Sequence, residues 1–127
     1  MAPRTRVLVI DDDPVILELL RINFEIEGFE VISACDGQEG LRRAGVDHPD
    51  VILSDIMMPR LDGLQLLARL RGDPATADVP VVLLSAKAQL AEVDRGMALG
   101  ADDYVTKPFD PLELLDRVNA AMDKRRK

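Results

Sequence analysis

Unbroken apolar runs and stripes of helical period alternate along this chain. "RVLVI" at 6–10 and "VILS" at 51–54 are continuous and rich in β-branched residues, the pattern of strands buried on both faces. "VPVVLL" at 79–84 reads as a further strand and "DYVT" at 103–106 as a short one. "FEVISA" at 29–34 instead alternates apolar with polar residues and predicts an edge strand. Between these runs the period changes. Ile16, Leu19, Leu20 and Phe24 recur at helical spacing behind Asp13 as N-cap and Pro14 at the first helical position, and Gly28 closes that helix. Asp36 to Gly45 predicts a short helix. "LQLLARLRG" predicts an amphipathic helix ending at Gly72, and "AQLAEVDRGMALG" another over 88–100. The last helix opens with "FDPLE", where Asp110 caps, Pro111 follows and Glu113 completes a capping-box pattern. Leu114, Leu115, Val118 and Met122 supply its apolar stripe.

Strands alternating with helices five times predict an α/β domain with a parallel sheet, right-handed crossovers and helices on both faces. At 127 residues, one domain over 1–127 accounts for the whole chain, with 1–5 a loose leader and 123–127 a basic end. That end, "KRRK", suits the dipole at a helix C-terminus and is also where a linker would start. Aromatic residues make up only 3% and Trp is absent, so aliphatic side chains must build the core. The net charge of -7 argues against direct nucleic-acid binding by the domain. One cysteine, Cys35, permits no intramolecular disulfide. No apolar run approaches a membrane span and no secretory signal precedes the first strand, so no membrane role and a cytoplasmic location are expected.

Candidate chemistry enters at the strand ends, because sites in open parallel sheets form beyond the carboxyl ends of the strands. The first strand ends in Asp11 and Asp12, the third in Asp55, the fourth in Ser85 and Ala86, and the fifth in Lys107. Adjacent carboxylates repel and raise one another's pKa unless a cation lies among them. Mg²⁺ takes one or two carboxylates together with waters and phosphate oxygens. An Asp beside such a metal can attack phosphorus to give an acyl phosphate. Lys107 can pair with phosphoryl oxygens, Ser85 can donate to them, and the small Ala86 leaves them room. Asp13 is better employed as a cap than as a ligand. His48, the single histidine, sits in a "DHPD" loop and reads as solvent-facing.

The stretches "VLVIDDDP", "VILSDIMMPRLDG", "VVLLSA" and "GADDYVTKPF", in this order, resemble the receiver domain of two-component response regulators. The resemblance runs from Val7 to the end of the last helix. It implies a flavodoxin-like, doubly wound sheet of order 2-1-3-4-5. It also implies Asp55 as phosphoacceptor, and Asp11, Asp12 and Asp55 with the Met57 carbonyl as the Mg²⁺ site, Mn²⁺ being able to substitute. Ser85 and Ala86 would follow the phosphate with Lys107, Tyr104 would be the aromatic that swings inward, and the Lys107–Pro108 bond would be cis. A sensor histidine kinase or histidine phosphotransfer protein would donate the phosphoryl group. The face of the last two helices and last strand would signal to an effector domain or target protein. Met57 and Lys87 hold the positions that tune the lifetime of the phosphorylated state. Asp103, Glu113 and Arg117 resemble charges used in a phosphorylation-dependent homodimer, although Val93 stands where a basic residue is usual.

One rival shares the first motif. "VLVIDDDPV" also fits haloacid-dehalogenase-like phosphatases, with Asp11 as nucleophile and Asp13 as general acid. It leaves Asp55 without a role, and Asp110 and Asp116, which follow Lys107, are explained by the last helix. No G-x-G-x-x-G or G-x-x-x-x-G-K-[ST] occurs, which argues against a plain nucleotide-binding module.

Overall fold

A computed structural model of the chain describes residues 4–86 and 90–126. Met1 to Pro3 of the leader, Lys87, the first two residues of the expected 88–100 helix, and Lys127 lie outside the described residues. The elements are β1 (Arg6–Ile10), α1 (Pro14–Ile26), β2 (Glu30–Ala34), α2 (Gly37–Asp47), β3 (Val51–Asp55), α3 (Gly63–Gly72), β4 (Val81–Ala86), α4 (Leu90–Ala98), β5 (Asp103–Lys107) and α5 (Pro111–Arg126). The five strands are parallel and ordered β2-β1-β3-β4-β5.

Alternation along each strand divides the core in two. Leu8, Ile10, Ile52 and Leu83 point to the layer that holds α2, α3 and α4, among Leu66, Leu67 and Leu70. Val7, Val9, Leu53, Val82 and Leu84 point to the other layer, against Leu20 and Phe24 of α1 and Leu114 and Val118 of α5. With helices on both sides, β1, β3 and β4 are apolar over their covered stretches, 7–10, 51–53 and 81–84, and turn polar only at their ends. β2 stands at an edge, so its alternating sequence is tolerated.

Helix ends follow local chemistry. Asp13 Oδ1 accepts from the Val15 amide at 2.9 Å and caps α1, and Asp110 Oδ1 accepts from Leu112 at 2.9 Å at the start of α5. α1 and α4 both end in a left-handed glycine, Gly28 (φ 90) and Gly100 (φ 108). In each the next residue's amide reaches back five positions, Phe29 to Phe24 and Ala101 to Gly96. Three expected details change. Leu19 is 41% exposed, and Leu17 packs inward in its place, because the α1 stripe is rotated towards the sheet. α2 passes through Gly45 to Asp47, where Arg43 pairs at 3.3 Å, and stops at His48 (φ 50) before Pro49. β4 begins at Val81 rather than Val79 and runs on to Ala86, paired with Lys107.

Candidate functional site

The parallel register brings the carboxyl ends of β1, β3, β4 and β5 to one rim. Each site residue sits at or just beyond a strand end, where the ladder stops and a side chain can turn into the crevice. Asp11 is fully buried and Asp55 is 7% exposed, whereas Asp12 is exposed. One oxygen from each of these three carboxylates lies within 4.8 Å of the others. Asp11 Oδ1 accepts from the Asp13 amide at 2.9 Å, and its Oδ2 accepts from Lys107 Nζ at 2.9 Å. The same ammonium stands 3.4 Å from Asp55 Oδ1, which also accepts from the Ile56 amide at 2.9 Å.

Three carboxylates therefore face one ammonium. Burial pushes the Asp55 carboxyl up to about 6, the Asp11 charge adds to that, and Lys107 only partly opposes it. Burial pulls Lys107 down, but its hydrogen bond to Asp11 and the two acidic charges outweigh burial and hold it above the usual lysine value. The donor set fits a hard divalent cation. It is all oxygen, it is clustered, and its negative charge exceeds what Lys107 neutralises. A second observation marks the same rim. Ser85 is fully buried, and its Oγ has no hydrogen-bond partner among the described residues. A buried hydroxyl left unpaired costs free energy, so its position calls for an acceptor.

Around this cluster, Ala86 ends β4 and is exposed, and Tyr104 on β5 is 37% exposed. The Lys107–Pro108 bond is cis. The Met57 side chain is exposed in the loop that leaves β3. His48 is exposed and remote from the rim, at the far end of α2.

Sequence reasoning missed what frames that loop. Asp62 and Gln65 form a reciprocal capping box at the start of α3, legible in hindsight as D-x-x-Q ahead of an apolar run. Gly63 donates to the Ile56 carbonyl at 2.7 Å, and a β-carbon at Gly63 would lie 2.3 Å from the Asp55 carbonyl oxygen. Only glycine lets α3 start this close to the acidic strand end.

Comparison with known proteins agrees with this arrangement. The model of the response regulator receiver domain matches residues 7–119. The DNA-binding dual master transcriptional regulator RpaA of Synechocystis sp. is 47% identical over 117 residues, covering 92% of this chain and 48% of that protein. The alkaline phosphatase synthesis transcriptional regulatory protein PhoP of Bacillus subtilis is 42% identical over the same length, with the same coverage of 92% and 48%. The chain thus spans about half the length of the curated relatives it matches. Among solved structures, the receiver domain of the Francisella response regulator 1452 is 41% identical with a TM-score of 0.87, covering 98% of this chain and 100% of that one. A response regulator from Chloroflexus aurantiacus superposes with a TM-score of 0.91 at 33% identity, covering 95% and 99% of the two chains. Among the described residues no helix is long and apolar enough to cross a membrane. With the fold, the acidic rim and the family match in agreement, the chain belongs to the response regulator receiver family, the signalling domains of two-component systems.

Proposed function

We propose that this domain is a phosphoacceptor switch in which Asp55 takes a phosphoryl group from a histidine kinase or histidine phosphotransfer protein. The observation that carries the reading is the rim itself: three clustered carboxylates, one ammonium shared by Asp11 and Asp55, and a buried, unpaired Ser85 hydroxyl. A carboxylate oxygen of Asp55 attacks phosphorus, the phosphorus–nitrogen bond of the phosphohistidine breaks, and the imidazole departs with the electron pair. An aspartyl phosphate results, and water later hydrolyses it. Lys107 balances charge on the phosphoryl oxygens, Ser85 donates its hydroxyl to one of them, and Ala86 leaves space. Mg²⁺, held by Asp11, Asp12, Asp55 and the Met57 carbonyl, would neutralise the phosphoryl oxygens when bound.

Movement of Ser85 towards the phosphate vacates space for Tyr104, which alters the surface of α4, β5 and α5. Relatives named as transcriptional regulators support an effector domain as recipient of that change. On this surface Arg117 lies 3.0 Å from both Asp103 oxygens and 3.9 Å from Glu113, charges that a symmetric homodimer could exchange between copies. The phosphatase alternative gains nothing, since the Asp13 carboxylate is committed to its cap.

Intact mass after incubation with acetyl phosphate and Mg²⁺ tests the reading. The wild type should gain one labile phosphoryl group, and neither Asp55→Asn nor EDTA-treated protein should. Sedimentation of the same samples reads the dimer. Phosphorylation surviving in Asp55→Asn would overturn the assignment and point to Asp11.

A further inference from the structure

The loop between β3 and α3 carries a strained residue with an unexpected partner. Arg60 has φ 68, in the left-handed region, and shares a positive φ with only one other non-glycine residue, His48, among those described. A β-carbon disfavours that region. The Leu61 amide donates to the Pro59 carbonyl at 2.9 Å, so Arg60 is the centre of a three-residue turn of the rarer hand. Its guanidinium reaches across to α2, where Nη1 donates to Asp36 Oδ2 at 2.7 Å.

Asp36 is 8% exposed and doubly engaged. Its Oδ1 accepts from the Glu39 amide at 2.8 Å as the N-cap of α2, while its Oδ2 takes Arg60. Beside it the two segments meet backbone to backbone, since a β-carbon at Gly37 would lie 1.9 Å from the Leu61 carbonyl oxygen. The base of the loop is pinned where Gly63 bonds to Ile56, and its tip is held by buried Leu61 and by the Arg60–Asp36 pair. Met57 lies within this closed span.

We propose that Arg60 and Asp36 are positioning residues: their ion pair latches the β3–α3 loop onto α2 and so holds the Met57 carbonyl at the acidic rim. This rests on the metal site of the proposed function, and it concerns residues that touch neither metal nor phosphate. The latch is a local device. The Arg60 side chain is 66% exposed, and a pair of that kind adds little to global stability, so variants fold. Its effect appears where the loop must keep one shape.

The test compares Asp36→Asn, which keeps a capping side chain, with Arg60→Gln and Arg60→Gly. Calorimetric titration with Mg²⁺ and hydrogen exchange of the metal-free proteins are the readouts. Asp36→Asn and Arg60→Gln should each weaken Mg²⁺ binding by about threefold, the scale a partly exposed pair supports. The double variant should be no worse than either single one, and thermal midpoints should barely move. Exchange at Leu61 and Gly63 should quicken, more in Arg60→Gln than in Arg60→Gly, because glycine removes the strain that the pair restrains. High salt should bring the wild type towards the variants.

Wild-type Mg²⁺ affinity and exchange in both single variants would overturn the latch. Faster exchange at Glu39 with Leu61 unchanged would show loss of the cap alone, and would overturn it too. If the wild type bound no Mg²⁺, the metal site of the proposed function would fall. The loop latch would then be decided by exchange at Leu61 and Gly63 alone.

Discussion

The two ends of the sheet each bury an aspartate, and they treat it in opposite ways. At the amino-terminal rim the Asp102 side chain, 4% exposed, accepts from Arg71 Nη2 at 3.2 Å, Arg125 Nε at 2.7 Å and the Val81 amide at 2.9 Å. The two guanidiniums also donate to the Gly100 carbonyl, which ties α3 and α5 to the turn before β5. At the carboxyl-terminal rim Asp11 and Asp55 share one lysine and repel each other. One aspartate has more cation than it needs, and the other pair has less. The first arrangement is complete as it stands and serves architecture. The second is complete only when further positive charge arrives, as a site for a cation and a phosphoryl group requires.

The largest expected effect breaks the satisfied end. Asp102→Ala would leave two partly buried guanidiniums without their carboxylate and the Val81 amide without its acceptor. A loss of about 3 kcal/mol in urea unfolding is expected, the scale for removing one partner of a buried pair. A loss below 1 kcal/mol would mean that water solvates the arginines and that the contrast between the ends is overstated.

The acidic end should respond with the opposite sign. Without metal, Asp55→Asn should stabilise the domain at pH 8 by on the order of 1 kcal/mol, because it removes a carboxylate whose ionisation the fold resists. The sign follows from linkage. The Asp55 carboxyl titrates near 3.8 when unfolded and at about 6 when folded, so the folded state binds more protons between those values. Its contribution to stability is fully present below pH 3.8 and is lost as pH rises through about 6. The gain from Asp55→Asn should therefore vanish near pH 4 and shrink when Mg²⁺ is added at pH 8. Chemical denaturation at both pH values checks this, and a substitution that destabilises at pH 8 would refute it.

The smallest effect compares two buried hydroxyls. Thr76 Oγ1 donates to the Leu70 carbonyl at 2.8 Å, whereas Ser85 Oγ has no partner among the described residues. Thr76→Val should cost about 1 kcal/mol, and Ser85→Ala should be neutral or slightly stabilising in the unphosphorylated protein. Equal losses in the two variants would show that Ser85 is already satisfied.

Much of this was legible in the order of residue types. Unbroken apolar runs marked the strands covered on both faces, and the alternating "FEVISA" marked the edge. Reading off the strand ends brought Asp11 and Lys107 together across 96 positions. Helix detail was less secure. The α1 stripe takes Leu17 rather than Leu19, because a spacing rule defines a stripe only to within one residue and the neighbouring sheet decides its rotation. Asp62, Gln65 and Gly63 carried local signals that could have been read. Arg71, Asp102 and Arg125 carried none, since nothing in the neighbours of a charged residue says which distant charge it will meet.

The elements, their alternation and the rim on which the acids collect follow from the order of residues alone, because period and strand-end position are local properties. Which charges are quenched and which remain exposed to one another was settled by packing. It paired Asp102 with two arginines, left Asp11 and Asp55 with one lysine, and joined Arg60 to Asp36. Electrostatic energy depends on distance and burial, and both are set by packing between segments far apart in the chain.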